Sequence, residues 1–196
     1  MSPYESSVFA LELAFPFDAQ SPSRTALRDL IRHHPEAASL RQRSRLYRDV
    51  AQALLAELPR APRGGWDYYD DDTAVRKYNE WCGGMLNEEG VRKFPIPFEA
   101  AGPYRAGGEA RFATFTVAFL MVRDSNVDTM FRQRCTMSDS NLWDRATFRR
   151  LLEAVSVMQF AAVRSDVLYM IPNEDDYGLT AQDLADDRFE YLRELR

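Results

Sequence analysis

The sequence has 196 residues, a formal net charge of −5 and 45% hydrophobic positions, which excludes a fully disordered chain and favours one folded domain over residues 1–196. No apolar run approaches the roughly 18 residues that a membrane-spanning helix needs, and the N-terminus lacks the basic start and apolar run of a signal peptide. Two cysteines are too few for a disulfide framework or a closed zinc site. We therefore expect a soluble protein of the cytoplasm.

A strand and two helices are predicted first. Residues 7–15 alternate with the period of two that is typical of a strand, with one strongly apolar side. Ser23 is a candidate N-cap for a helix to about residue 32, which Pro35 closes. From residue 37 to 58, apolar residues recur at three- and four-residue steps, which predicts an amphipathic helix that ends at Pro59.

An aromatic and acidic stretch follows the second helix. Residues 62–65 read Pro-Arg-Gly-Gly, which predicts a loop, and Trp66, Tyr68 and Tyr69 follow among aspartates. Exposed aromatic side chains beside charges are typical of protein interfaces. Alternatively, the tryptophan and one tyrosine cover the edge of a sheet. Another helix is expected from about residue 72 to residue 81 or 86.

The middle of the chain contains a long connection and a strand. Residues 87–109 are rich in proline and glycine, which predicts an unusually long connection for a compact domain. Residues 110–122 alternate clearly and predict a strand. Residues 129–137 alternate again, which favours a hairpin partner for that strand. A short helix is the competing interpretation, because Asn126 and Asp128 are both candidate caps.

The C-terminal third predicts a helix at about 142–157, and residues 160–171 end in an apolar run typical of a buried central strand. Thr180 and Asp183 then form a capping-box-like pattern before a short C-terminal helix. This order of elements predicts an α+β fold, with a small, mainly antiparallel sheet of about four strands and helices packed on one face.

Residues with catalytic or metal-binding potential are few. The adjacent histidines His33 and His34 point in different directions on a helix end and do not suit one metal ion. Cys82 precedes Gly83-Gly84, a weak candidate for a nucleophile beside an oxyanion site, whereas Cys135 is expected to be packed. Nucleophile-elbow and phosphate-loop motifs are absent. We therefore predict no catalytic residue, no cofactor and no metal site.

Charge is distributed unevenly along the chain. Residues 24–63 contain nine arginines and four acidic residues, whereas residues 173–196 contain eight acidic residues and three arginines. Arg41, Arg45 and Arg48 lie on the polar side of the predicted helix 37–58. A solvated helix that partly pairs with the acidic C-terminal segment is one interpretation. An acidic protein partner, and a nucleic acid or anionic lipid surface, are the others.

Several segments resemble the domain-of-unknown-function family 1517, which is best known from cyanobacterial and chloroplast proteins. The similarity is carried by a strand after a long connection, a helix, a strand followed by an acidic loop and "Leu-Thr-x-x-Asp-Leu", and a helix that ends before an aromatic residue. These segments are Glu109–Val122, Trp143–Val155, Asp166–Leu195 and Leu46–Pro59 with Trp66. The resemblance implies an α+β domain with no known activity or cofactor. The transmembrane and Gly/Ser/Arg-rich segments of many members are absent, so membrane or plastid placement is not implied.

Three functional classes follow from the sequence. The leading hypothesis is a non-enzymatic protein-interaction or scaffold domain that binds another protein or itself through the aromatic stretch or the arginines. The second is an enzyme with an unrecognised site near Cys82. The third is a binder of nucleic acid or an anionic surface through the arginine-rich helix, which the acidic net charge disfavours.

Overall fold

A five-stranded antiparallel sheet organises the chain in the computed structural model, which describes residues 5–16, 22–37, 39–86, 111–171 and 178–196. The strand order is β4-β3-β1-β2-β5. The strands are β1 (Ser6–Pro16), β2 (Arg63–Tyr69), β3 (Phe112–Val122), β4 (Val163–Ile171) and β5 (Arg193–Glu194). The helices are α1 (Pro22–His33), α2 (Leu40–Glu57), α3 (Ala74–Leu86), α4 (Asn126–Cys135) and α5 (Arg145–Val157).

The central strand β1 is buried on both faces. Residues with odd numbers, such as Phe9 and Leu11, contribute to the largest hydrophobic cluster of the described chain. Even-numbered residues, such as Val8 and Ala10, belong to a separate cluster on the opposite side. Because successive strand side chains point to opposite faces, both faces of the sheet are covered.

Four helices cover the first face, which we call the core face. Residues of α1, α2, α4 and α5 share the large cluster with the odd-numbered residues of β1. The helix α2 begins with a capping box, in which the Ser39 hydroxyl accepts a hydrogen bond from the backbone N–H of Gln42 and the Gln42 side chain accepts one from the Ser39 N–H. Tyr47, Val50 and Leu54 form its fully buried stripe, so the three- and four-residue spacing determines which side of the helix is buried.

The opposite face, which we call the second face, is covered in two parts. Helix α3 packs Ala74, Tyr78 and Cys82 against one part. Leu179, Leu184, Phe189 and Leu192 from the C-terminal segment pack over the other part. The polar side chains of Glu12 and Thr116, in the middle of this face, therefore lie between the apolar contacts made by α3 and by the C-terminal segment.

The predicted fold class is confirmed: the structure is α+β, with an antiparallel sheet and helices packed against it. The sheet has five strands rather than about four: β2 and the two-residue β5 were not expected, and the strand expected at 129–137 is not in the sheet. The layer of four helices on the core face agrees with the expected arrangement, and α3 adds a contact on the second face. In the described part of the chain, no helix is long and apolar enough to cross a bilayer.

The segment that begins at Arg63 is a strand, so its interpretation as a loop is wrong. Residues 63–69 pair with β1 in antiparallel register, with Gly64 opposite Leu13 and Gly65 opposite Glu12. A glycine pair is a common loop signal, but here each glycine allows another group to approach the sheet closely. Tertiary contacts therefore override the local turn preference.

The interpretation of residues 129–137 as a hairpin strand is also wrong, and the competing helix is correct. Helix α4 spans Asn126–Cys135, and the Ser125 hydroxyl caps it by accepting a hydrogen bond from the Asp128 N–H at 3.3 Å. Phe131 is fully buried on its inner side. The strand that pairs with β3 on this side is instead β4.

The expected C-terminal helix is replaced by two short 3₁₀ turns, Asp183–Ala185 and Asp187–Phe189, followed by β5. The capping pattern itself is present, because the Thr180 N–H donates to Asp183 and the Asp183 N–H donates to the Thr180 hydroxyl. Leu184, Phe189 and Leu192 of this segment instead pack together against the second face of the sheet. The predicted connection at 87–109 lies outside the described residues.

Gly64→Val is expected to lower the free energy of unfolding by about 1–3 kcal/mol, because it overpacks the core. A Cβ atom at Gly64 would lie 2.6 Å from Cε1 of Phe148 and 3.1 Å from Cδ2 of Leu13. Urea unfolding of Gly64→Val, Phe148→Leu and the double variant measures the loss. Since Phe148→Leu removes the ring edge, the double variant should lose less than the sum of the two single variants. Additive losses would contradict this contact.

Candidate functional site

The arginines predicted as partner-binding lie on the exposed side of α2. Arg41, Arg45 and Arg48 are all exposed, and we call these three residues the arginine row. Their spacing of four and three residues places them on one stripe along about 10 Å of helix axis. The row has no ion pair or side-chain hydrogen bond with any residue in the described part of the chain. The arginine row therefore makes no ion pair with the acidic residues of the segment 178–196.

Other arginines have carboxylate partners. Arg43, which lies on α2 between Arg41 and Arg45, binds Asp166 at 2.8 Å and is half-buried. Further arginines pair with acidic residues within 4 Å: Arg32, Arg60, Arg76, Arg132, Arg164 and Arg196. Within the described ranges, the arginine row is therefore a set of cations on one helix that have no carboxylate within ion-pair distance.

The predicted aromatic binding residues lie on β2 rather than in a loop. Trp66 and Tyr68 are half-buried and pack against the core-face cluster. The Trp66 indole N–H donates to the carbonyl of Leu142 at 3.0 Å, and the Tyr68 hydroxyl donates to Oδ1 of Asp128 at 2.6 Å. This arrangement agrees with the alternative that the tryptophan and a tyrosine cover the sheet. Their role in binding a partner stays a prediction.

Tyr68 belongs to a charged network that holds the turn between β3 and α4. The guanidinium of Arg132 binds the carboxylates of Asp124 and Asp128, each at 2.9 Å. Burial and the bond to Asp128 raise the pKa of Tyr68. Asp124 adopts a left-handed backbone conformation, with φ of 59°, and its N–H donates to Asp128. The network stabilises the turn between β3 and α4. The hydroxyl of Tyr68 is therefore already hydrogen-bonded within the protein.

Tyr69, the third predicted aromatic residue, points to the second face. It packs with the cluster formed by α3 and the even-numbered residues of β1. The ammonium of Lys77 lies 5.4 Å from the centre of its ring, within the range of a cation–π contact. The strand thus divides the three aromatic residues between two faces.

The two thiols have environments that oppose nucleophilic chemistry. Cys82 is buried on the second face, and burial raises its pKa. Burial raises the pKa of Cys135 to about 12. Since the thiolate is the reactive form, neither environment activates a nucleophile at neutral pH. The hypothesis of an enzyme site near Cys82 gains no support from this geometry.

A polar cluster around Asp166 was missed at the sequence level. Asp166 lies on β4 with its side chain 3% exposed, and its Oδ2 accepts hydrogen bonds from Nε2 of His34 at 2.7 Å and from the Tyr47 hydroxyl at 2.9 Å. Burial alone would raise the pKa of Asp166. The hydrogen bonds from His34 and Tyr47 and the charge of Arg43 lower this pKa by a larger amount, so the net shift is downward. Because Arg43 and Tyr47 lie on α2 and Asp166 lies on β4, the cluster anchors α2 to the sheet.

Glu12 is a second buried acid that the sequence did not single out as a site. It lies at 0% exposure on the central strand, and its Oε2 accepts hydrogen bonds from the hydroxyls of Thr116 and Tyr191. Its only sequence signal is its position as the acid among the apolar even-numbered residues of β1. Across the described ranges, no group of three or more histidine, cysteine or acidic residues is positioned to hold a metal ion.

Comparison of the chain with protein-family models, with curated proteins and with solved structures finds no match. The resemblance to the domain-of-unknown-function family 1517 therefore stays a prediction from the sequence.

Proposed function

We propose that this protein is a non-enzymatic interaction domain that binds an acidic segment of another protein through the arginine row of α2. The observation that carries the proposal is the contrast within one helix: Arg43 is paired with a buried carboxylate, whereas Arg41, Arg45 and Arg48 are exposed and unpaired in the described structure. Charge complementarity then favours carboxylates as the recognised groups.

The geometry suits a helical or extended acidic segment. Carboxylates at positions i, i+4 and i+7 of a helix repeat at the same spacing as the row and can meet it in a parallel arrangement. Arginine binds carboxylates through a planar fork of N–H donors. The net charge of −5 opposes long-range attraction to nucleic acid or an anionic membrane. We therefore favour a protein partner of local acidity over a polyanion.

A triple charge reversal, Arg41→Glu, Arg45→Glu and Arg48→Glu, is expected to weaken binding of an acidic helical peptide by about tenfold or more. Each exposed pair contributes roughly 0.2–1 kcal/mol, and about 1.4 kcal/mol corresponds to tenfold in affinity. The probe is a labelled helical peptide with glutamate at i, i+4 and i+7, followed by fluorescence anisotropy at low and physiological salt. Affinity should fall as salt rises.

The matched control reverses three exposed arginines on other elements: Arg134→Glu, Arg149→Glu and Arg193→Glu. It changes the net charge equally and should leave peptide binding within about twofold, since these residues are not on α2. Equal losses in both triple variants would contradict a specific row. Tighter binding to a DNA duplex or to phosphatidylserine vesicles than to the peptide would replace the proposal with the third functional class. Sedimentation that shows a dimer lost only in the α2 variant would identify the partner as a second copy of this chain.

A further inference from the structure

The thioether of Met137 accepts hydrogen bonds from α5. Met137 is half-buried in the connection between α4 and α5. Its Sδ lies 3.5 Å from Nη2 of Arg150 and 3.5 Å from Oγ1 of Thr147. The Thr147 hydroxyl also donates to the carbonyl of Asn141 at 2.8 Å, and a carbonyl oxygen is the stronger acceptor of its single hydrogen. Arg150 is therefore the principal donor to the sulfur.

The guanidinium of Arg150 has few other partners. Its Nε is buried and has no hydrogen-bond partner among the described residues. Its only hydrogen bond within the described ranges is to Sδ of Met137, and no described carboxylate lies within ion-pair distance. A thioether is a weak acceptor, whereas a guanidinium is a strong cationic donor. An oxygen atom at this position would satisfy the cation better than the sulfur does.

The spacing of sulfur and donor fits an oxygen bonded to the sulfur. An S–O bond of about 1.5 Å and an O···N hydrogen bond of about 2.8 Å, joined at a bent angle, separate the sulfur and the donor by about 3.5–3.7 Å. The distance from Sδ of Met137 to Nη2 of Arg150 is already 3.5 Å. Addition of one oxygen to this sulfur therefore requires little movement of α5.

From this geometry we infer that Met137 is a modification site, at which hydrogen peroxide oxidises the thioether to methionine sulfoxide. A lone pair of the sulfur attacks one peroxide oxygen, so an S–O bond forms and the O–O bond breaks. The sulfur is oxidised by two electrons, and the leaving hydroxide takes the proton of the transferred oxygen and becomes water. Arg150 stabilises the negative charge on the leaving oxygen and then binds the sulfoxide oxygen. The site is separate from the arginine row and does not depend on the proposed function.

The thiol of Cys135, two residues before Met137, is not the site of this reaction. Burial raises the pKa of Cys135 to about 12, and the charge of Arg150 opposes this rise only in part. Peroxide oxidises the thiolate form of cysteine, which is scarce at neutral pH in such an environment. A thioether has no proton to lose, so its reaction needs no such activation.

The test follows sulfoxide formation in the full chain treated with hydrogen peroxide, by peptide mapping and mass spectrometry. Met130 is the matched control, because it is also half-buried and its sulfur accepts no hydrogen bond from a described residue. Met137 should be oxidised at least about fivefold faster than Met130 in the folded protein, and at a similar rate in urea, where both are exposed. Equal rates in the folded protein, or no sulfoxide at Met137, would overturn the inference.

Two variants separate the role of Arg150 from the access of peroxide to the sulfur. Arg150→Leu shortens the side chain, so access alone would speed oxidation of Met137, whereas loss of the donors should slow it by about threefold or more. Arg149→Leu makes the same change at the exposed neighbouring position of α5 and should leave the rate unchanged. Arg150→Lys keeps a cationic donor and should restore part of the rate. Equal rates in the two leucine variants, or faster oxidation in Arg150→Leu, would contradict the site.

The urea midpoint of the oxidised protein is a second measurement. Sulfoxide formation commonly disrupts packing, because it makes an apolar side chain polar. Here the sulfoxide oxygen has a donor, so peroxide treatment should lower the midpoint of the wild type no more than that of Met137→Leu, which lacks the oxidisable sulfur. In Arg150→Leu the oxygen has lost that donor, and the same treatment should lower the midpoint further. A larger fall in the wild type than in Met137→Leu would contradict an oxygen bound by Arg150.

Discussion

Phe119→Ala is expected to lower the free energy of unfolding by about 3–5 kcal/mol, because truncation of a fully buried phenylalanine leaves a large cavity in the core. Phe119 is fully buried on β3. Its ring lies 4.8 Å from that of Tyr47 and about 6 Å from those of Phe9, Phe131 and Phe160, measured between centroids. The cavity left by alanine would therefore adjoin β1, α2 and α4 together. Chemical denaturation followed by circular dichroism measures the loss.

Val157→Ala is the matched control for the core truncation. Val157 ends α5 and is 66% exposed, so its truncation should change stability by less than about 0.5 kcal/mol. A loss at Phe119 similar to that at Val157 would show that the aromatic cluster is not a tightly packed core. A lower m-value, the slope of the unfolding free energy against denaturant concentration, would instead indicate that Phe119→Ala changes the compactness of the native or the denatured state.

Asp166→Ala is expected to destabilise the fold by about 3 kcal/mol, since it removes the shared acceptor of the buried Tyr47 hydroxyl and of the partly exposed side chains of His34 and Arg43. Arg43, His34 and Tyr47 all donate to this carboxylate, from α2 and the turn before it. Removing this acceptor leaves three donors without a hydrogen-bond partner in a partly buried site. Asp29→Ala, which removes the exposed partner of Arg32, is the control and should cost less than about 1 kcal/mol.

The same carboxyl predicts a direction of pH dependence. Its pKa in the folded state lies below the ordinary value, so the unfolded chain binds the proton more readily. The stabilisation is fully present above the unfolded pKa of about 3.9 and is lost as the pH falls through the lower, folded pKa. The difference in unfolding free energy between the wild type and Asp166→Asn should therefore shrink as the solution is acidified from neutral pH. A difference that grows on acidification would contradict the assigned direction.

Local periodicity predicted the elements whose burial follows from their own sequence. β1 and β3 alternate over eleven residues each, and α2 repeats its apolar residues over eighteen. In such long segments the correct period buries one set of side chains, and the alternative period does not. β2 and α4 are shorter, at seven and ten residues. Phe131 and Cys135 are four residues apart, and residues at this spacing share one side of either a strand or a helix. The pattern therefore did not distinguish a strand from a helix at this position.

The sequence also placed the arginine row on the exposed side of a helix, because the apolar stripe of α2 defines the opposite side. It did not show which arginines have partners. Arg43 meets a carboxylate 123 positions away, and that contact depends on the packing of α2 against β4. Likewise, the aromatic residues of β2 were interpreted as part of an acidic loop, and only the pairing of residues 63–69 with β1 shows that they lie on a strand.

By itself, the amino-acid sequence determined the α+β class, the central alternating strands and the amphipathic helix with its basic side, because these depend on side-chain periodicity over neighbouring residues. Only the tertiary structure decided the surroundings of Glu12. Its partner Tyr191 lies 179 positions away, and the space for that contact exists because Gly65 is beside Glu12 in the sheet. Strand register and chain crossing set such contacts, and neither is encoded in a local pattern.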